Sequence, residues 1–201
     1  EIKNVNRIKG AVRTSLNESS AVITKDGQTM YFTRNNHFQG KRGYDAAKNT
    51  QLKIYRAELK NGKWTNIEEL SINGDSFNTA HPALSADEKT LYFSSDRPGG
   101  FGGSDLWKAS INGKTIGSPQ NLGAKINTEA RETFPFVNSN DELYFSSDGR
   151  VGMGGLDVYA TKIRKDGSVG DVQNVGAPIN SNADDFAYYI DFKSKQGFFS
   201  S

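Results

Sequence analysis

Four aspartates stand where a pair of catalytic acids could stand. Asp96 and Asp105 bracket the glycine-rich run RPGGFGGS, and Asp148 and Asp157 bracket GRVGMGGL. Two carboxyls about 5 to 10 Å apart can serve glycoside hydrolysis, one as acid and the other as base or nucleophile. That chemistry needs unlike acid and base at one place, whereas these pairs recur in matching contexts. Recurrence points to an architectural duty, with Asp side chains accepting backbone N–H bonds at strand ends. The same loops resemble calcium-binding glycine-aspartate repeats, but the register differs and two Asp per loop fall short of the roughly six to eight oxygens that Ca²⁺ takes. Gly99, Gly100, Gly102 and Gly103 do not form a phosphate loop, because no Lys-Ser/Thr and no helix start follow them. They are expected to serve a strand connection that needs positive φ. His81 precedes Pro82 at a strand entry and His37 lies in a polar stretch, neither with a second ligand at metal spacing. No cofactor, metal or catalytic residue is therefore expected.

The elements that carry these residues repeat. Leu91 to Trp107 reads LYFSSDRPGGFGGSDLW and Leu143 to Tyr159 reads LYFSSDGRVGMGGLDVY, while an interrupted version starts at Met30 as MYFTRN and resumes at Ile54-Tyr55. Tyr92 to Trp107 and Tyr144 to Tyr159 each span fifteen positions; Tyr31 to Tyr55 spans twenty-four, so the first copy carries a nine-residue insertion within Asn36 to Thr50. Asn61-Gly62, Asn112-Gly113 and Asp166-Gly167 suit tight hairpin turns. Four strands per unit result, with repeats at about 18–76, 77–126, 127–179 and a partial 180–201, and residues 1–16 resemble the last strand of an earlier unit.

In TLYFSS, Leu91 and Phe93 point to one face and Tyr92 to the other, so both faces of each sheet carry large apolar groups. Small four-stranded sheets covered on both faces by their neighbours are what a β-propeller stacks around a channel. The expected fold is all-β: a β-propeller of four-stranded antiparallel blades, about three complete and partial ones at both ends, in a single domain. Trp64 and Trp107 fall at strand positions held elsewhere by apolar residues and are expected in the core. The composition agrees, with 201 residues, 11 % aromatics, 21 Gly and no Cys. A formal net charge of +2 with interspersed signs gives no footprint for nucleic acid, and no apolar run is long enough for a transmembrane helix.

The stretch HPALSADEKTLYFSSDRPGGFGGSDLWKASI, with its copy at 134–163, resembles the WD-repeat-like β-propeller repeat of bacterial envelope proteins, and is most similar to the OmpA family of the Bacteroidetes. The resemblance implies a periplasmic, outer-membrane-associated module, found in such proteins beside helical repeats and a peptidoglycan-binding domain; one branch, PorE, belongs to the type IX secretion system. The first copy departs from the pattern, reading Thr33-Arg34-Asn35 where the others read SSD. No OmpA-like domain or helical repeat is visible in this stretch, and further blades before Glu1 or after Ser201 are expected.

If the strands alternate up and down, the long connections share one rim. That rim is expected to carry His37, Phe38, Lys41, Arg42 and Tyr44 of the insertion, with Arg97, Phe101, Arg131, Glu132, Arg150, Met153, Asp184 and Asp185. Arg, Tyr, Phe and Met favour interface cores, so the expected function is a non-catalytic scaffold for a protein partner in the cell envelope. The alternative is a propeller-type glycoside hydrolase or lyase, or a glycan-binding module.

Overall fold

A computed structural model describes residues 7–38, 41–45, 47–191 and 194–201; the side chains of His37, Phe38 and Lys41 lie outside the described part. The first blade contains β1 (Glu18–Ile23), β2 (Thr29–Asn35), then β3 (His37–Phe38) and β4 (Lys41–Arg42) as a small hairpin within the insertion, and β5 (Leu52–Lys60) and β6 (Lys63–Glu69). The second has β7 (Thr79–Leu84), β8 (Thr90–Ser95), β9 (Asp105–Asn112), β10 (Thr115–Ile116) and β11 (Gln120–Asn121), and the third has β12 (Glu132–Val137), β13 (Glu142–Ser147), β14 (Asp157–Lys162) and β15 (Gln173–Asn174). A two-stranded sheet of β16 (Phe186–Asp191) and β17 (Gln196–Ser200) follows. Sheet orders β1-β2-β5-β6, β7-β8-β9-β10 and β12-β13-β14-β15, all antiparallel, are those of propeller blades. Residues 9–11 lie along the outer edge of the first blade, where Gly10 bridges Trp64 of β6 in parallel.

Alternation within each second strand builds the contacts between blades. Tyr31 joins Leu84, Leu91, Phe93 and Trp107 in a core between the first two blades. Tyr92, on the opposite face of β8 from Phe93, joins Val137, Leu143, Phe145 and Tyr159 between the second and third. Trp64 packs with Val12, Met30, Phe32 and Tyr55 on the outward side of the first blade. The sheets of the first and second blades are thus buried on both faces, as the pattern LYF predicts.

The inner strands β1, β7, β12 and β16 line a channel of about 440 Å³. Each has a bulge near its start: register breaks fall between Ser19 and Ala21, Ala80 and Ala83, Thr133 and Phe136, and Phe186 and Tyr189. The displaced residues Ser20, His81, Phe134 and Ala187 all have positive φ, between 39° and 54°, a conformation that costs a non-glycine residue free energy and persists only where its surroundings impose it.

Phe93 and Phe199 occupy the same place in LYFSS and GFFSS. Phe93 is fully buried between blades, while Phe199, in the two-stranded sheet, is 41 % exposed. Phe93→Ala is expected to lower unfolding free energy by about 3–5 kcal/mol and Phe199→Ala by less than about 1 kcal/mol, measured by urea unfolding.

Candidate functional site

The long connections converge on one end of the channel. Backbone bonds join them: Gly103 N donates to Ala130 O at 2.7 Å, and Glu132 N to Ser104 O at 2.7 Å. The bracketing aspartates hold the loops in shape, as expected from their recurrence. Asp105 accepts the N–H groups of Phe101 (2.7 Å) and Gly102 (3.1 Å), and Asp157 those of Met153 (3.0 Å) and Gly154 (3.1 Å). Asp148 accepts from Arg131 N and Nε, both at 2.8 Å. Burial opposes its ionisation, but these bonds and the guanidinium charge prevail and hold its carboxyl below the usual range. Among the described residues no group of three or more His, Asp or Glu is placed to hold a metal.

The loop glycines act differently from expectation. Of Gly99, Gly100, Gly102 and Gly103, only Gly99 has positive φ. Gly102 is required for close approach instead: a Cβ there would collide with the carbonyl oxygens of Thr128 and Ala130 in the loop entering the next blade, as one on Gly154 would with those of Ser181 and Ala183.

Of the residues expected on the rim, Glu132 and Asp185 are buried and Arg97 and Arg150 are half-buried. Glu132 is fully buried, accepting Thr128 N (2.8 Å), Thr128 Oγ1 (2.7 Å) and Ser147 Oγ (2.6 Å); Asp185, also fully buried, accepts Ser181 N at 2.6 Å. A carboxylate engaged in this way cannot meet a partner. Arg97 donates to Ile72 O at 2.9 Å and Thr79 Oγ1 at 3.2 Å, with its guanidinium over Phe93 and Trp107; burial pulls its pKa down to about 10. Arg150 donates to Lys125 O (2.7 Å) and Ile126 O (2.8 Å) and lies over Phe145 and Tyr159. In the first blade Arg34 lies over Phe32 and Tyr55. Three arginines from unaligned positions thus cap the aromatic pair of each blade by cation–π contact.

The tips are what reach solvent. Phe101 is 50 % exposed, Met153 55 %, Tyr44 54 % and Val151 97 %. Arg42 and Asp184 are exposed as well, and Asp184 accepts Leu156 N at 2.8 Å. Arg131 is exposed but tied to Asp148. His37, Phe38 and Lys41 lie outside the described side chains.

Sequence reasoning missed the channel mouth. His81 N donates to Thr33 Oγ1 of the preceding blade at 2.8 Å, its Nδ1 lies 2.6 Å from Thr133 Oγ1 of the next, and its ring stacks on Phe134 with centroids 3.8 Å apart. Phe134 in turn meets Phe186 at 5.0 Å. The parallel entries HPAL and FPFV hold the signal, because His81 and Phe134 are the unlike residues before a repeated proline. Among the described residues no carboxylate lines the channel.

Neither a protein family nor a curated protein matches the sequence. Solved structures do match. A gluconolactonase from Xanthomonas campestris aligns over 94 % of this chain and 56 % of its own, with a TM-score of 0.59 and 16 % identity. An α-L-arabinofuranosidase from Lactobacillus brevis aligns over 87 % and 61 % (TM-score 0.55, 15 % identity), and a puromycin-hydrolysing peptidase from Mycobacterium tuberculosis over 82 % and 23 % (0.51, 17 %). The chain is a β-propeller. It spans less than two thirds of the length of each of these neighbours, and at such identities the likeness is one of fold. It nevertheless overturns the expectation of a non-catalytic protein: all three neighbours are enzymes, so repetition of the aspartates is no ground for excluding catalysis on this architecture.

Gly102→Ala is expected to cost about 1–3 kcal/mol through the collision with the adjoining loop, more than Gly99→Ala, which meets nothing within 4 Å and bears only its positive φ; chemical denaturation of both variants checks the order. Burial pulls the His81 pKa down from its usual 6.5 to about 4. The unfolded chain therefore takes the proton first as pH falls, and stability is lost between about pH 6.5 and 4, by up to about 3 kcal/mol. His81→Phe, which copies Phe134 in the next blade, is expected to flatten that part of a stability-against-pH curve, leaving the losses at lower pH that carboxylates such as Asp148 cause.

Proposed function

We propose that this propeller is a protein-binding module of the bacterial cell envelope, periplasmic and associated with the outer membrane, and that its partner meets the loop rim. The observation that carries the reading is the placement of Tyr44, Phe101, Val151 and Met153, large apolar groups exposed at the tips of connections that share one end of the fold. The loops beneath are fixed by buried carboxylates and interblade bonds, so little conformational freedom is lost when a partner docks. Arg42, Arg131 and Asp184 supply polar surroundings, the composition expected of an interface with an apolar centre. The envelope compartment rests on the resemblance of the repeats to OmpA-family propellers, and with it a role beside peptidoglycan or in a secretion complex of the PorE kind.

A second reading, a glycan-directed site in the channel, is favoured by one observation. Phe134, Phe136 and Tyr189 line the channel, and aromatic faces can pack against a pyranose ring.

Replacing Tyr44, Phe101, Val151 and Met153 together with alanine is expected to reduce capture of specific partners from a solubilised envelope fraction at least about tenfold, with an unchanged melting temperature, because exposed side chains away from the core contribute little to stability. Equal capture by both proteins would remove the basis of the rim reading. Binding to a glycan panel that survives these substitutions but is lost in His81→Ala would favour the channel.

A further inference from the structure

Two crevices of similar size open between neighbouring blades, one of about 650 Å³ between the first and second and one of about 720 Å³ between the second and third. They are built from equivalent residues. In the first, Tyr31 pairs across the sheet with Arg56 and Thr29 with Glu58; in the second, Tyr92 pairs with Lys108 and Thr90 with Ser110. Leu84 and Ile111 of the first correspond to Val137 and Ile163 of the second.

The linings carry equal numbers of carboxylates, Glu58 and Glu88 in the first and Asp87 and Asp141 in the second, and differ in how their cations are paired. Glu58 sits between cations in the first crevice, with Lys114 Nζ at 2.5 Å and Lys60 Nζ at 3.3 Å, and these partners pull its pKa down to about 2. Arg56 donates to Lys114 O at 3.1 Å and pairs with Glu68. In the second crevice Ser110 stands in place of Glu58 and Lys108 in place of Arg56, and the hairpin after β14 brings two further cations, Arg164 and Lys165, where the first crevice has Asn112, Gly113 and Lys114. Among the described residues no carboxylate lies within ion-pair distance of any of the three. Lys108 Nζ has a 3.4 Å contact with Gly167 O, and Arg164 Nη1 bonds Ser168 Oγ and Val169 O. Two acids also line this crevice. Asp87 is taken up by Ser85 Oγ (2.7 Å) and Lys89 N (3.1 Å) of its own turn, and Asp141 lies in the turn between β12 and β13.

We propose that the crevice between the second and third blades binds a small anion carried on a ring-sized body, such as a phosphorylated or carboxylated sugar, whose charge takes the place that Glu58 fills in the neighbouring crevice. Lys108, Arg164 and Lys165 supply the countercharge. Val137 and Ile163 offer an apolar floor beside Tyr92, whose hydroxyl stays protonated because burial, with Asp141 and Asp87 adding to it, pushes its pKa up to about 12. Neither the rim nor the channel takes part, so this site stands or falls independently of the function proposed above.

Titration calorimetry of the whole chain with glucose 6-phosphate, glucuronate, inorganic phosphate and glucose tests it at low ionic strength, where unscreened charges act most strongly. The anionic sugars are expected to bind, with glucose at least about tenfold weaker. Ser110→Glu, which restores the first crevice's own carboxylate, is expected to abolish binding, Lys108→Ala to weaken it at least about tenfold, and Ser110→Ala to leave it unchanged. Glucose binding as well as its phosphate, no heat with any anion, or anion binding that survives both Ser110→Glu and Lys108→Ala would overturn the proposal. Lys108→Ala decides the matter if Ser110→Glu does not fold.

Discussion

A β-sheet with large apolar groups on both faces cannot stand alone in water, and that constraint governs this molecule. Leu91 and Phe93 need the first blade, Tyr92 needs the third, and neither set can be satisfied by a change of register, since a one-residue slip only exchanges the faces. Burial of apolar area stabilises each sheet in proportion to the surface its neighbours cover, so stability lies largely in the contacts between blades. The sheet of β16 and β17 shows the converse: Phe198 and Phe199, without a third strand beside them, remain substantially exposed.

Once the blades are fixed, the connections at one end inherit their positions, and polar chemistry makes them rigid. Asp105 and Asp157 close their own loops, Glu132 and Asp185 close the turns that enter the next inner strands, and Gly102 and Gly154 let neighbouring loops touch. Thr33 and Ser94 reach across to the next blade, at His81 N and Glu132 O. The residues that most invite a catalytic reading are therefore those that build the rim, and distinctiveness rests with the tips, the channel-mouth residues and the crevices, where the repeats diverge.

Divergence without loss of architecture is clearest in the arginines. Arg34, Arg97 and Arg150 occupy different positions within their repeats, yet each brings its guanidinium over the aromatic pair of its blade. A long side chain can reach one point in space from several backbone positions, so selection can retain the contact while the register drifts. The two crevices illustrate the opposite case, in which backbone and register are retained while Glu58 of one is replaced by Ser110 in the other.

Repetition and alternation were legible from the chain alone. The LYFSSD copies determined four-stranded units, two-faced burial and the structural duty of Asp105 and Asp157, because those features follow from the order of residues along one strand and the loop it enters. What the chain could not show is where side chains from different repeats meet. Arg97 and Arg150 read as exposed cations and Glu132 and Asp185 as exposed acids, since a charge in a loop gives no sign of the carbonyls or N–H groups another segment will bring to it. Gly102 read as a turn residue, although its neighbour is Ala130 of the following loop. His81 read as a strand entry, although the bulge turns it between Thr33 and Thr133 of the adjoining blades. Each of these was decided by packing between units distant in sequence, which only the assembled propeller supplies.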